Sequence, residues 1–193
     1  MIILITGTPG VGKTTVSNIL KEKLNAYLIC INELVDEKHL YTGIDEEKGY
    51  KIVDLDLLFN ELDNITQKID KSSYIIIEGH LSHFYENSDI VIVLRANPDV
   101  LRSRMDVKGW KDAKINENIE AETIGICSYE AYEIHGKKAR EIDTGDISPQ
   151  EVSDLIIDAI NSGKEFPIGN VDYLEYLTIF DDRAPKGKVF NIE

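Results

Sequence analysis

Residues 7–14 read Gly-Thr-Pro-Gly-Val-Gly-Lys-Thr, and they sit between an apolar β-branched run and a segment with helical periodicity. Few folds carry a chain from a strand through a glycine-rich turn into a helix. Gly7, Gly10 and Gly12 remove the Cβ atoms that would obstruct backbone N–H groups turned inward around a phosphate. The spacing fits G-x-x-x-x-G-K-[ST]. The helix that starts near Lys13 adds its positive N-terminal end. The Lys13 ammonium can then reach the β- and γ-phosphates of ATP, and the Thr14 hydroxyl can ligate Mg²⁺. Gly10, Val11, Gly12, Lys13, Thr14 and Thr15 are therefore the candidate ATP-holding residues.

The rest of the chain repeats the strand–helix rhythm. Apolar strand-like runs lie at residues 1–6, 26–31, 74–78, 90–95 and 140–143. Helical periods lie at 13–24, where Val16, Ile19, Leu20 and Leu24 recur, and at 54–69, where Leu55, Leu58, Phe59, Leu62 and Ile65 share a face. Asn97-Pro98 opens a helix to about residue 105, residues 115–134 read as one helix, and Ser148-Pro149 caps another. Alternation of this kind implies a parallel sheet covered on both faces. No linker divides the 193 residues, so a single domain is expected. Two polar insertions, 30–53 and 107–117, interrupt the rhythm and are candidate substrate-covering elements; no role is assigned to the tail, 164–193.

The apolar strand at 74–78 ends in Glu78, with Gly79 and His80 next. In a P-loop sheet, an acid at such a strand end lies near the Mg²⁺ and its waters. Side chains two apart on an extended segment point the same way, so Glu78 and His80 can both face the phosphates. The alternatives are a salt bridge for Glu78 and a surface-loop position for His80. Arg102, Arg104, Lys108, Lys111 and Lys114 cluster before and within the second insertion, where phosphate charge would be neutralised. Arg104 and Lys108, four apart, can share a face; Arg102 reads as a solvated side chain.

Composition narrows the partners. The net charge of -14 opposes general nucleic-acid binding, which needs cations to release phosphate counterions, and suits either a basic protein partner or solubility alone. Cys30 and Cys127 lie outside any CxxC pattern, so neither a disulfide framework nor a zinc site is expected. The apolar start is too short for a signal peptide and no run reaches membrane-span length, so a cytoplasmic protein is expected. Small size, an N-terminal phosphate loop and two insertions suggest a nucleotide or small-metabolite kinase, whose lid must exclude water to prevent hydrolysis.

Over about residues 1–160 the sequence resembles the atypical adenylate kinase family, adenylate kinase isoenzyme six, also described as a ribosome-assembly ATPase. GTPGVGKTT resembles its phosphate loop, INELVDEKHLYTGIDEEKGYKIVDLDLLFNELDN its nucleotide-monophosphate-binding segment, IEGH its Asp-x-His element, and RMDVKGWKDAKINENIEAE its lid. The resemblance implies a P-loop fold of nucleoside-monophosphate-kinase type, a five-stranded parallel sheet with expected strand order 2-3-1-4-5, and Mg²⁺-dependent phosphoryl transfer from ATP to AMP. It also implies ATPase activity and a small-subunit ribosomal protein partner in ribosome assembly and rRNA processing. Lys13, Glu78 and His80 would be catalytic, Thr14 and (through water) Glu78 would hold the metal, and Arg104 and Lys108 would stack on or neutralise ATP. Lys108-Gly109 stands where the family commonly has Arg-Gly, and Lys lacks the bidentate fork of Arg. Two rival readings are a small kinase for another nucleoside or monophosphate, and an assembly factor whose output is a nucleotide-driven switch with incidental kinase activity.

Overall fold

The computed structural model describes residues 1–46 and 49–177. In chain order the elements are β1 (Ile2–Thr6), α1 (Lys13–Leu24), β2 (Tyr27–Cys30), α2 (Ile31–Lys38), β3 (Tyr41–Ile44), β4 (Lys51–Val53) and α3 (Leu55–Thr66). There follow β5 (Ile75–Glu78), β6 (Ile90–Arg95), α4 (Pro98–Val107), α5 (Asp112–Thr123), α6 (Ile126–His135), β7 (Ala139–Asp143) and α7 (Pro149–Asn161).

Five strands form one parallel sheet in the order β2-β5-β1-β6-β7, which is the expected 2-3-1-4-5. Successive side chains on each strand go to opposite faces, so the sheet builds two cores. Ile3, Ile5, Ile76, Ile92 and Leu94 pack under α1, α4, α5 and α7 with Val16, Leu20, Leu101, Met105, Ile115, Val152 and Ile156. Leu4, Ile75, Ile77, Val91 and Val93 pack on the other face with Leu34, Leu58, Leu62, Cys127 and Ala131 from α2, α3 and α6. β1 lies in the middle of the sheet, and its C-terminal end opens into the glycine-rich loop.

Local chemistry sets the element ends. The Asp54 side chain accepts from the Leu57 N–H at the start of α3. Ser148 and Glu151 form a reciprocal capping box on α7, with Pro149 at its first turn.

Two expectations change. The helix expected over 115–134 is two helices, because Gly125 takes a left-handed conformation, φ +68, between α5 and α6. That break turns the chain over the Arg95 guanidinium, which lies 3.4 Å from where a Gly125 Cβ would stand. The first insertion is a helix followed by an antiparallel hairpin: α2 leads into β3 and β4, with a register shift between Tyr41 and Gly43. Of the tail, the part up to residue 177 packs back on the sheet edge. Glu141 donates its N–H to the Phe166 carbonyl and accepts the N–H groups of Gly169 and Val171 on Oε1. Residues 178–193 lie outside the described residues.

Candidate active site

The loop from β1 to α1 wraps closely. Gly7 has φ +132, and a Cβ there would stand 2.3 Å from the Leu94 carbonyl oxygen, so only glycine fits. Lys13 Nζ donates to the Gly7 carbonyl at 2.8 Å and the Thr8 carbonyl at 3.1 Å. Burial pulls the Lys13 ammonium down to about 8, against the opposing pull of Cys127, Glu78 and Glu122.

Strand register brings the acid to the helix start. Cys30 pairs with Glu78 across β2 and β5, and Ile5 of β1 pairs with Glu78 on the other side. Glu78 is buried, and its Oε1 accepts from the Thr14 hydroxyl at 3.2 Å and the Cys30 thiol at 3.1 Å. Burial pushes the Cys30 thiol up to about 11, so it stays a donor. The hydroxyl of Thr14 and the carboxylate of Glu78 are hard oxygen donors side by side, which suits Mg²⁺. A bound Mg²⁺ would supply charge neutralisation to the phosphates, with Thr14 as ligand and Glu78 holding one of its waters.

His80 lies two residues beyond the strand, after Gly79, and its Nδ1 is 3.3 Å from the Gly7 carbonyl. A carbonyl only accepts, so Nδ1 carries the proton and Nε2 the lone pair. Burial, then the Lys13 charge, lowers the His80 pKa and keeps the ring neutral. Cys127 Sγ stands 3.7 Å from the same Nδ1. The structure thus brings Lys13, Thr14, Glu78 and His80 to one loop.

Beside the loop lies a cleft of about 520 Å³, lined in part by Gly10, Gly12, Thr15, Arg104, Lys108 and Thr144. Arg104 donates to the Val11 carbonyl at 3.2 Å and the Thr144 carbonyl at 3.1 Å, so its guanidinium holds the loop's outer wall. Lys108 ends α4 at the same cleft. The two insertions meet at Lys114, whose ammonium is 4.2 Å from the Trp110 ring centroid and 4.9 Å from that of Tyr50.

Sequence reasoning missed the support beneath the loop. Glu122 is 1% exposed, and it accepts from the Thr8 hydroxyl, from Arg95 Nε at 2.7 Å and from the Ala96 N–H at 3.0 Å. Arg95 also donates to Glu141 at 3.0 Å and to Ser128 at 3.2 Å. A signal existed: Ile115, Ile119, Glu122 and Thr123 share the buried face of α5, and Glu122 stands where the apolar stripe would continue. Cys30 and Cys127, to which the sequence assigned no role, both touch site residues: Cys30 touches Glu78 and Cys127 touches His80.

Residues 3–125 match the family described as "AAA domain", a P-loop domain. A protein of Methanothermobacter thermautotrophicus is 41% identical over 91% of this chain and 98% of its own length. One of Methanocaldococcus jannaschii is 40% identical over 93% and 98%. Both are named "Putative adenylate kinase". The chain belongs to the adenylate kinase family. Among solved structures, shikimate kinase from Acinetobacter baumannii, in complex with shikimate, aligns with TM-score 0.61 at 18% identity, covering 84% of this chain and 94% of that one. Shikimate kinase from Aquifex aeolicus aligns at 0.55 and 19% identity, covering 84% and 98%. These two likenesses show the P-loop kinase fold. No helix among the described residues is long and apolar enough to cross a membrane.

Proposed function

We propose that this adenylate kinase family member transfers the γ-phosphoryl group of Mg-ATP to AMP, giving two ADP. The observation that carries the reading is the convergence of Lys13, Thr14 and Glu78 at the phosphate loop. Phosphoryl transfer asks for little covalent chemistry, so positioning and charge do the work. Lys13 leaves the Gly7 and Thr8 carbonyls for the β- and γ-phosphates. Arg104 and Lys108 flank the cleft that takes the rest of ATP. AMP as acceptor rests on the family and on the insertion built by α2, β3 and β4, which faces the lid through Tyr50 and Lys114.

Hydrolysis of ATP belongs to the same proposal. A neutral His80 with its Nε2 lone pair available is suited to orient water, which supports the ATPase side. The acidic surface supports a basic partner such as a small-subunit ribosomal protein in the cytoplasm, and with it the reading of an assembly factor. The deciding experiment is an acceptor panel with Mg-ATP, scored for ADP formed from AMP and for free phosphate. AMP should be the best acceptor. Faster phosphorylation of CMP, UMP or a nucleoside would make this a small kinase of another specificity.

A further inference from the structure

Residues 166–177 follow the last α-helix and line no part of the cleft beside the phosphate loop. They nevertheless end a chain of buried charge that begins in that loop. Arg95 lies between Glu122 and Glu141, and all three are buried. With one more carboxylate than guanidinium, the oxygens must find further donors inside the protein. Glu122 Oε1 accepts from Arg95 Nε and the Ala96 N–H, and its Oε2 accepts from the Thr8 hydroxyl. Glu141 Oε2 accepts from Arg95 Nη1 and the Ser128 hydroxyl. The donors to its Oε1 are the N–H groups of Gly169 at 3.0 Å and Val171 at 2.7 Å. The network therefore runs from Thr8 to the backbone of the C-terminal segment with every carboxylate oxygen used.

Two tyrosines tie the segment down. The buried Tyr173 ring covers one face of the Arg95 guanidinium, with its centroid 5.3 Å from Cζ. The Tyr176 hydroxyl accepts from Asn97 Nδ2 at 2.7 Å. The other end of that amide caps α4, where Asn97 Oδ1 accepts from the Asp99 N–H at 2.9 Å. α4 carries Arg104 and Lys108 to the cleft. The segment thus reaches the loop through Arg95 and Glu122, and the opposite wall through Asn97.

We propose that the C-terminal segment positions the ATP site from behind, with Tyr173 and Tyr176 as positioning residues for Thr8 and for α4. Thr8 is held from two sides, its hydroxyl by Glu122 and its carbonyl by Lys13 at 3.1 Å. When Lys13 turns to phosphate, the Glu122 bond still holds the Thr8 side chain. Without the Tyr173 ring, water reaches Arg95, both carboxylates gain competing partners, and the grip on Thr8 loosens. Without the Tyr176 hydroxyl, the Asn97 cap loses the bond that fixes its amide. The proposal rests on the phosphotransfer reading only in taking the loop to hold ATP; the identity of the acceptor does not enter it.

The test is calorimetric titration of the full chain with Mg²⁺ and β,γ-imido-ATP, beside steady-state rates with AMP, below the onset of melting of each variant. Tyr173→Ala should raise the Kd of the analogue about tenfold, and KM for ATP with it, while KM for AMP stays unchanged. Tyr173→Phe keeps the ring and should restore the natural values. Tyr176→Phe removes one hydrogen bond and should raise the Kd roughly threefold. An unchanged Kd in Tyr173→Ala and Tyr176→Phe, with only the melting temperature lowered, would make the segment a structural cover and overturn the proposal. An equal rise in KM for ATP and for AMP would overturn it too, because the loosening would then be general. If the Kd shifts as expected but AMP accepts no phosphate, the acceptor assignment falls and the positioning role stands.

Discussion

The Thr14 hydroxyl donates to Glu78 Oε1 across 3.2 Å, joining the first turn of α1 to the last residue of β5. The two groups that would share a hydrated Mg²⁺ are thus held together by the parallel pairing of β1 with β5. Glu78→Gln keeps the shape and removes the charge. Transfer and hydrolysis should both fall, by roughly 10- to 100-fold, and the Mg²⁺ concentration for half-maximal rate should rise. A normal Mg²⁺ titration in this variant would separate Glu78 from the metal.

Lys13 titrates near 8 in the free protein. Its ammonium is present below that pH and lost above it, and only the charged form attracts the triphosphate. kcat/KM for ATP should therefore be flat to about pH 8 and then fall about tenfold per unit. In kcat the break should move to higher pH, since bound phosphates favour the charged form. Lys13→Ala should abolish both transfer and hydrolysis in a folded protein. Turnover at the normal rate would refute the phosphate-loop role.

His80→Ala should reduce ATP hydrolysis by about 10²-fold and AMP phosphorylation much less, because transfer needs no water oriented by Nε2. Both rates are read on one preparation at saturating ATP. Equal loss would assign His80 to holding the Gly7 carbonyl, 3.3 Å from Nδ1. Loss of neither would make it a loop residue without a part in the chemistry.

His83 is fully buried, with Nδ1 2.7 Å from the Thr6 hydroxyl and Nε2 3.0 Å from Glu130. Burial first, then the neighbouring His80 and His135, lowers it from 6.5 to about 4. Between those values the unfolded chain binds the extra proton, so stability rises with pH across the window and is lost as pH falls from 6.5 towards 4. The full effect is on the order of 3 kcal/mol. Urea unfolding at pH 7.5 and 5 should show it, and His83→Gln should flatten the difference. Equal stability of the natural protein at both pH values would contradict a neutral buried His83.

Glu122→Ala should destabilise the protein by about 3–5 kcal/mol, since it leaves Arg95 with one of its two carboxylate partners and Thr8 with none. Thr8→Val should cost less and raise KM for ATP. A Glu122→Ala midpoint within experimental error of the natural protein would remove the brace from the account.

The strand positions and the phosphate loop were legible because both rest on local signals: unbroken apolar runs for strands buried on both faces, and three glycines before Lys13. The hairpin of β3 and β4 was not, since Thr42, Ile44 and Lys51 are exposed and no apolar alternation marks it. The break at Gly125 was missed because periodicity continues on both sides of it. Glu122 was missed for a different reason. A buried carboxylate on α5 is explained only by Thr8 and Arg95, which lie 114 and 27 residues away in sequence.

The hold of Lys13 on the Gly7 and Thr8 carbonyls has a consequence for selectivity. An incoming anion must replace two hydrogen bonds already made inside the protein by a charged donor, each worth roughly 1.5–3 kcal/mol net. A triphosphate offers several oxygens along the whole loop and repays that loss at once. Orthophosphate or sulfate offers a single tetrahedral group, and much of what it gains goes to releasing the lysine. Small anions around the protein therefore compete less well for the loop than a triphosphate does.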